Sequence, residues 1–146
     1  MNSRLIPAEP HHYDWIELRA QEAVQIAADG IEGHKALVPL SDAAITIIAD
    51  GRVVAMLGLY RLSEGVYEVW MLPSIYVAEY AMLVARAAKR YIHSFIRAEN
   101  PRRVQTHAIA DAFHDRWMLY LGLEVEGTMR RFGVDGTDYR MWAVIQ

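Results

Sequence analysis

The chain has 146 residues, of which 53% are apolar, with no cysteine and a formal net charge of −3 at pH 7. This is the size of one ordinary domain with enough apolar side chains for a core, which argues against a disordered chain. The lack of cysteine excludes disulfides, thiolate metal ligands and a cysteine nucleophile. We expect neither a secretory leader nor a membrane span, because no apolar run approaches about 18 residues.

The first predicted element is a helix over residues 12–29, where apolar side chains recur at helical spacing. Gly30 and Gly33 are expected to end it, since glycine is common just after a helix. Residues 34–41 are expected to be loop and turn, with Pro39 breaking any regular element.

A three-strand meander follows in the sequence. Residues 43–49 and 53–60 are rich in β-branched side chains, and the Asp50-Gly51 pair between them is a strong hairpin signal. After a second turn at residues 63–65, residues 66–72 are predicted to form the third strand. We therefore expect three neighbouring antiparallel strands.

The second half alternates helices and strands. An alanine-rich helix is predicted over 77–98, then a strand over 104–110 and a short helix over 112–121. Two final strands are predicted over 124–132 and 138–145. This order predicts a single α/β domain spanning residues 1–146, with a mixed sheet flanked by helices.

The text near the C-terminus resembles the GNAT family of acetyl-CoA-dependent N-acetyltransferases. Members of that family carry a strand, a capping Asn, a short helix, then Gly-Phe and a strand that opens with Glu-x-Glu-Gly. The segment 111–127 (DAFHDRWMLYLGLEVEG) follows that plan, with Asp111 at the Asn position and Leu123 at the Phe position. The resemblance implies a GNAT-like sheet and helix arrangement.

A narrower resemblance is to the small GNAT-like proteins of T7-type podoviruses, including internal virion proteins. The resemblance rests on three short motifs: His114-x-Arg116-Trp117, the Leu-Gly-Leu of residues 121–123 and the AADGIE segment at 27–32. This resemblance implies a role in virion assembly, DNA ejection or binding of a host protein. It also implies a location in the host cytoplasm or the virion.

The GNAT resemblance implies where acetyl-CoA would bind. The pantetheine arm would lie along Trp70, Met71 and Leu72, and the pyrophosphate would meet the loop at 73–78. The implied loop contacts are Ser74, Ile75, Tyr76, Val77 and Ala78. Backbone N–H groups at the start of a helix suit anions there.

This loop departs from the family pattern, which has an Arg or Gln followed by two small residues, usually glycines. Here Pro73 lacks an N–H donor, Ile75 and Val77 are branched, and Glu79 adds a negative charge. The sequence therefore predicts weak binding of acetyl-CoA.

The resemblance also indicates catalytic positions. Glu68 on the third strand is the carboxylate best placed to take a proton from an amine; the alternative is an exposed residue in a cross-strand pair. Met118 stands where many members have the tyrosine that protonates the leaving thiolate, and Tyr120 is the candidate substitute.

The histidines give no clear site. His107 and His114 lie near the strand-to-helix corner, where His114 could orient a ligand or tie the helix to nearby backbone. His11 and His12 fall in an N-terminal stretch expected to be mobile, and the six histidines show no metal-ligand spacing. No metal site is predicted.

Two functions stay open at this point. One is a phage protein that keeps the fold without the chemistry and binds a phage or host protein. The other is an active N-acetyltransferase that moves acetyl from acetyl-CoA to an amine or protein substrate. The isoelectric point of about 6.0 disfavours general nucleic-acid binding, and an oligomer is left open.

Overall fold

The computed structural model describes all residues, 1–146, and contains seven strands, four α-helices and one short 3₁₀ helix. The strands are β1 Ser3–Pro7, β2 Ser41–Ala49, β3 Arg52–Ser63, β4 Val66–Pro73, β5 Arg103–Ile109, β6 Glu124–Met129 and β7 Tyr139–Ile145. The helices are α1 Ala20–Asp29, α2 Ile31–Leu40, α3 Ala81–Glu99 and α4 Ala112–Tyr120, and the 3₁₀ helix is Pro10–Asp14. The predicted class, a mixed α/β sheet with helices, is confirmed.

The chain divides into two compact units. The first unit contains Met1–Tyr60 and Trp70–Val84, and the second contains Arg61–Val69 and Ala85–Gln146. None of the four α-helices is long and apolar enough to cross a membrane.

The first unit is built on the predicted hairpin. Strand β2 pairs antiparallel with β1 on one side and β3 on the other. The turn residues Asp50 and Gly51 both have positive φ, 49° and 78°, as a tight two-residue hairpin turn requires. The unit's apolar core is the cluster Tyr13, Ile16, Ile26, Val38, Ile48, Val53, Met56 and Leu72.

The second unit contains β5, β6, β7, the first half of β4 and most of α3. Residues Val66–Glu68 of β4 run parallel to β5, and β5 and β6 pair antiparallel with β7. Its buried apolar residues include Ala88, Ile92, Val104, Leu121, Leu123, Trp142 and Ala143.

The corner after α4 depends on Gly122. Its φ of 87° favours glycine, and an added Cβ would lie 3.2 Å from the Nε2 atom of His93. The same Nε2 donates a hydrogen bond of 2.9 Å to the Leu121 carbonyl. Of the features on which the GNAT resemblance rests, this corner is the one that the local sequence predicts most clearly, through Gly122 itself.

Two predictions about residues 11–29 of the first unit are wrong, and one strand was missed. The helix predicted over 12–29 is a 3₁₀ helix followed by α1, because Leu18 forms an antiparallel bridge with Ser74 and the backbone is extended there. The stretch with His11 and His12, expected to be mobile, is part of that 3₁₀ helix. Strand β1 was not predicted.

The predicted loop at 34–41 is mostly helix α2. Pro39 lies in its last turn, where the missing N–H removes one hydrogen bond from a helix that is about to end. Ser41 then donates its hydroxyl to the Leu37 carbonyl at 2.5 Å, which satisfies an acceptor at the helix end. Proline therefore marks the end of this helix rather than excluding it.

Candidate functional site

The segment after β4, predicted to hold the pyrophosphate, is a series of turns rather than the start of the long helix. Helix α3 begins at Ala81, later than the predicted residue 77. Val77 N–H donates to the Ser74 carbonyl at 3.2 Å, and Glu79 N–H donates to the Tyr76 carbonyl at 3.1 Å. These bonds close two successive turns before the helix starts.

The first residues of this segment are also bound to neighbouring elements of the first unit. Ser74 is fully buried, and its N–H donates to the Val54 carbonyl at 2.9 Å. Ile75 N–H donates to the Glu17 carbonyl at 2.9 Å, and Tyr76 N–H to the Ser74 hydroxyl at 3.1 Å. Four N–H groups of the predicted phosphate loop, those of residues 74–77, thus have partners within the protein, as does the N–H of Glu79 directly after it.

Acidic side chains surround this segment. Tyr76 donates its hydroxyl to the Glu17 carboxylate at 2.8 Å, and Glu79 is exposed next to it in the chain. Arg52 lies 4.6 Å from the centre of the Tyr76 ring and 3.7 Å from the Glu79 carboxylate. Tyr76 thus lies beside two carboxylates and one guanidinium, a charge balance that disfavours an anion.

A second tyrosine–carboxylate pair lies in the same unit. Tyr80 donates its hydroxyl to Asp50 at 2.6 Å. This hydrogen bond raises the pKa of Tyr80 and lowers the pKa of Asp50, because it favours the protonated phenol and the ionised carboxylate. The bond to Glu17 raises the pKa of Tyr76 in the same way.

The residues predicted to contact pantetheine contribute to the packing of the first unit. The indole of Trp70 donates to the Ser41 hydroxyl at 2.7 Å and packs against the core cluster. A Cβ added at Gly58 would lie 2.6 Å from that indole nitrogen, so only glycine fits under the ring. Leu72 is buried in the core, and Met71 is half-buried.

In the second unit, the pairing of β4 with β5 runs from Val66↔Arg103 to Glu68↔Gln105. One position further, the Thr106 side-chain hydroxyl donates to the Val69 carbonyl at 2.9 Å. Beyond the backbone pairing of β4 with β5, the next contact between the two strands is therefore made by the side chain of Thr106.

Glu68, the predicted base, stands at that last paired position. Its side chain is only 15% exposed. Gln105 donates its amide to Glu68 Oε1 at 3.3 Å, and His107 Nδ1 lies 3.7 Å from the same oxygen. The His107 ring packs against Phe132 and Tyr139 at 5.1 and 5.7 Å between centres. A shielded carboxylate beside an imidazole can accept or hold a proton.

The other predicted residues of the second unit lie around α4. Met118 is buried, whereas Tyr120 is 39% exposed with the Lys89 ammonium 4.6 Å from its ring centre. His114 donates from its backbone N–H and its Nδ1 to Asp111 Oδ1, at 2.8 and 2.7 Å. His114 thus belongs to the helix cap, through bonds to the Asp111 side chain rather than to neighbouring backbone.

The Asp111 carboxylate caps α4. Burial acts to raise its pKa, but the hydrogen bonds from His114 outweigh that effect and leave the pKa below its usual value. A capping carboxylate of this kind is a structural feature of the helix start.

Sequence reasoning missed the contacts of Glu17 and Arg52 with the turn segment. These residues are distant from it along the chain, and no local pattern links them to residues 73–80. It also missed the grouping of Glu9, His11 and His12, whose ligand atoms all lie within 4.8 Å of one another. The sequence signal for that group was the short Glu-Pro-His-His string.

Comparison with known proteins bears on the fold. No protein-family model and no curated protein matches the sequence. The chain is similar to the solved structure of Ard1 from Thermoplasma volcanium, with a TM-score of 0.77 at 15% identity over 98% of this chain and 97% of that one. It is also similar to a GNAT-family acetyltransferase from Bacillus anthracis, with a TM-score of 0.71 at 12% identity over 98% and 94%.

A third similar structure is the microcin C7 self-immunity acetyltransferase MccE, solved in complex with acetyl-CoA and AMP. Its TM-score is 0.66 at 10% identity, over 99% of this chain and 92% of that one. The chain therefore has the GNAT fold, as predicted. Identities this low establish the fold alone, and the resemblance to T7-type phage proteins stays a prediction.

Proposed function

We propose that this chain is a GNAT-fold protein that acts by binding another protein and does not use acetyl-CoA as a substrate. The observation that supports this most directly is the turn segment after β4. Its N–H groups at Ser74, Ile75, Tyr76, Val77 and Glu79 donate to acceptors within the protein.

The energetics favour the same proposal. A pyrophosphate bound by these N–H groups would have to replace several intramolecular hydrogen bonds, each worth about 1 kcal/mol. It would also approach the carboxylates of Glu17 and Glu79, of which Glu79 is already near Arg52. The residues present do not fit the phosphates of acetyl-CoA, so we assign the cofactor no step.

The partner in this proposal is a phage or host protein, and the process is virion assembly or DNA ejection. The support is the sequence resemblance carried by His114-x-Arg116-Trp117 and the segment at 27–32. Under this proposal the protein works in the host cytoplasm or within the virion.

The test is a direct titration of the untagged protein with acetyl-CoA and with CoA by calorimetry, up to millimolar ligand. We expect no binding heat and no shift in the melting temperature. Saturable binding with a Kd in the micromolar range would overturn the proposal. Equal weak heats with ATP would indicate nonspecific phosphate binding and would leave the proposal standing.

A second candidate function is N-acetyl transfer to an amine, favoured by the environment of Glu68. A carboxylate that is 15% exposed and contacts Gln105 and His107 is suited to remove a proton from an attacking amine. Tyr120 is the candidate acid in this alternative, and the GNAT fold of MccE, solved with acetyl-CoA, is its structural precedent.

This second function has its own experiment. Acetyl-CoA consumption is measured with a panel of small amines and with N-terminal peptides, for the native protein and for Glu68→Gln. If the native protein turns over, the substitution should lower kcat by about 10²-fold or more without changing the melting temperature. Absence of turnover with every acceptor in the panel rejects this candidate.

A further inference from the structure

Helix α3 carries a row of basic side chains on its solvent-exposed side. Between residues 81 and 98 the chain has four Lys or Arg and no Asp or Glu, although its net charge is −3. All four are exposed, whereas Val84, Ala88 and Ile92 on the opposite side of the helix are fully buried. These four cations, the basic ridge, are Arg86, Lys89, Arg90 and Arg97.

The spacing of the ridge aligns its charges. Arg90 follows Arg86 by four residues and Arg97 follows Arg90 by seven, so these three side chains lie along one line of the helix surface, with Lys89 beside it. At 1.5 Å per residue, the ridge extends for about 16 Å. All of it belongs to the second unit. A ligand that matches the ridge must present several negative charges over that length.

The ridge has no counter-charge within the protein. None of its four cations forms an ion pair, and the Arg97 guanidinium donates to the Ser94 hydroxyl at 3.3 Å. Exposed helices commonly mix both signs of charge, because opposite charges three or four residues apart support the helix and like charges repel. In α2, for example, Lys35 lies 4.0 Å from Glu32. The positive charge of α3 is therefore left for a ligand from outside the chain.

Aromatic and aliphatic side chains of α4 border the ridge. The Lys89 ammonium lies 4.6 Å from the centre of the Tyr120 ring, which is 39% exposed, and Leu119 next to it in the chain is 64% exposed. Arg116, one turn before Tyr120, is exposed and adds another cation that forms no ion pair. Arginine and tyrosine are enriched in protein–protein interfaces. This surface therefore offers both charge and apolar contact area to a protein ligand.

We propose that the basic ridge and Tyr120 bind an acidic segment of a partner protein. A helix with Glu or Asp at positions i, i+4, i+7 and i+11 presents carboxylates along a line as long as the ridge, and an apolar side chain beside them would contact Tyr120. A nucleic acid is a less suitable ligand, because the isoelectric point of the chain is about 6.0. This inference rests on the function proposed above and adds the chemistry of the partner.

The test is fluorescence anisotropy of a labelled peptide of about 15 residues, titrated with the full chain. The peptide has Glu at those four positions, one Leu beside them and Ala elsewhere. We expect saturable binding with a Kd of about 10 to 100 µM at about 50 mM NaCl, and at least tenfold weaker binding at about 300 mM, because salt screens exposed charges. No saturation at about 1 mM protein would overturn the proposal.

Two further probes test the sign of the charge and the class of ligand. The same peptide with Lys in place of Glu should not bind, and equal affinity for it would reject recognition by charge. A labelled single-stranded oligonucleotide of about 15 thymidines should bind more weakly than the acidic peptide. Tighter binding of the oligonucleotide would reject the acidic protein segment as the ligand.

Charge reversal locates the binding surface. Arg86→Glu/Arg90→Glu should weaken binding of the acidic peptide at least tenfold, and it should fold normally, because both side chains are exposed and Glu is a good helix former. The matched control is Arg4→Glu/Arg61→Glu, which makes the same change in net charge at exposed positions of β1 and β3. That control should lose much less affinity, and an equal loss in both double variants would reject the ridge as the site.

The acetyl-CoA and peptide titrations give separate answers. Binding of acetyl-CoA would overturn the proposed function, and the peptide titration would still report on the ridge. Failure of the acidic peptide to bind would overturn the role of the ridge, and the acetyl-CoA titration would still test the proposed function.

Discussion

The turn segment after β4 and the carboxylate at the end of the β4–β5 pairing differ in what their polar groups contact. In the first unit, the N–H groups of residues 74–77 and of Glu79 donate to backbone or hydroxyl oxygens of the same protein. In the second unit, Glu68 has an amide and an imidazole beside a shielded carboxylate. The fold thus keeps a potential proton acceptor while the expected anion site is taken up by internal hydrogen bonds.

This difference shows that the two expected parts of the site depend on different features. A cofactor loop depends on free N–H groups and small residues, whereas this segment has the branched Ile75 and Val77 and N–H groups that donate within the protein. A strand carboxylate depends only on its place in the sheet. Fold similarity at 10–15% identity therefore does not by itself establish the chemistry.

The largest expected effect is on the packing of Trp70. Gly58→Ala would place a Cβ about 2.6 Å from the indole nitrogen, closer than any real contact, so the ring or the strand must move. We expect a loss of about 3 kcal/mol in the free energy of unfolding, measured by urea denaturation. Gly127→Ala, at a position with nothing within 4 Å, is the control and should change stability far less.

That result would also test the role of Trp70. If Gly58→Ala were as stable as the native protein, the indole would be free to move and its contact with Gly58 would not contribute to stability. A loss restricted to Gly58→Ala supports a structural role for the ring.

The next largest effect is a loss of stability at alkaline pH caused by the buried Tyr13 of the first unit. Burial raises the pKa of Tyr13 to about 12, compared with 10.0 for a free tyrosine. Above pH 10 the unfolded chain loses this proton first, so the stability that is fully present below pH 10 falls as the pH rises toward 12. Two pKa units correspond to about 2 to 3 kcal/mol at most.

Tyr13→Phe removes this titration. We expect the free energy of unfolding of the variant to fall less between pH 10 and 12 than that of the native protein. Urea denaturation of both proteins at pH 8, 10 and 11.5 measures this change in the free energy of unfolding. Parallel pH profiles for the two proteins would show that the Tyr13 hydroxyl is not buried in the folded state.

In the second unit, the capping role of Asp111 gives a smaller effect. Asp111→Ala should cost about 1 kcal/mol, because α4 loses the acceptor for the His114 N–H. Asp111→Asn keeps a capping oxygen, so it should lose only part of that stabilisation energy. Because the folded pKa of Asp111 is lowered, its stabilisation is present above the unfolded pKa and is lost as the pH falls through the folded value.

Thermal unfolding of the three proteins at pH 7 and pH 3 measures this effect. The native protein and Asp111→Ala should differ more at pH 7 than at pH 3. A constant difference at both pH values would contradict the assignment of the cap to an ionised carboxylate.

The fold was largely predictable, and the contacts of the candidate site were not. The hairpin at Asp50-Gly51 and the corner at Gly122 are signalled by residues adjacent in the chain, because positive φ angles demand glycine, asparagine or aspartate locally. The sequence also predicted that the loop at 73–78 would suit phosphates poorly. That prediction rests on local residues alone, and the contacts of Glu17 and Val54 with the loop could not be predicted, because they form only when the first unit folds.

The smallest expected effect comes from removing the negative charge around the turn segment. In the double variant Glu17→Gln/Glu79→Gln, the charge near Tyr76 becomes positive through Arg52. If charge alone excluded acetyl-CoA, calorimetry would now detect binding. We expect none, because the bond from the Ile75 N–H goes to the Glu17 backbone carbonyl, which the substitution leaves in place.

The outcome shows whether negative charge alone prevents acetyl-CoA from binding at the turn segment. Glu64→Gln, which removes an exposed acid of the second unit, is the control for the change in net charge. Binding by the double variant and not by this control would assign the exclusion to electrostatics, and a few substitutions would then suffice to recover the cofactor. Continued absence of binding would show that charge is not the sole cause, and it leaves the internal hydrogen bonds and the branched Ile75 and Val77, which substitutions at positions 17 and 79 do not change.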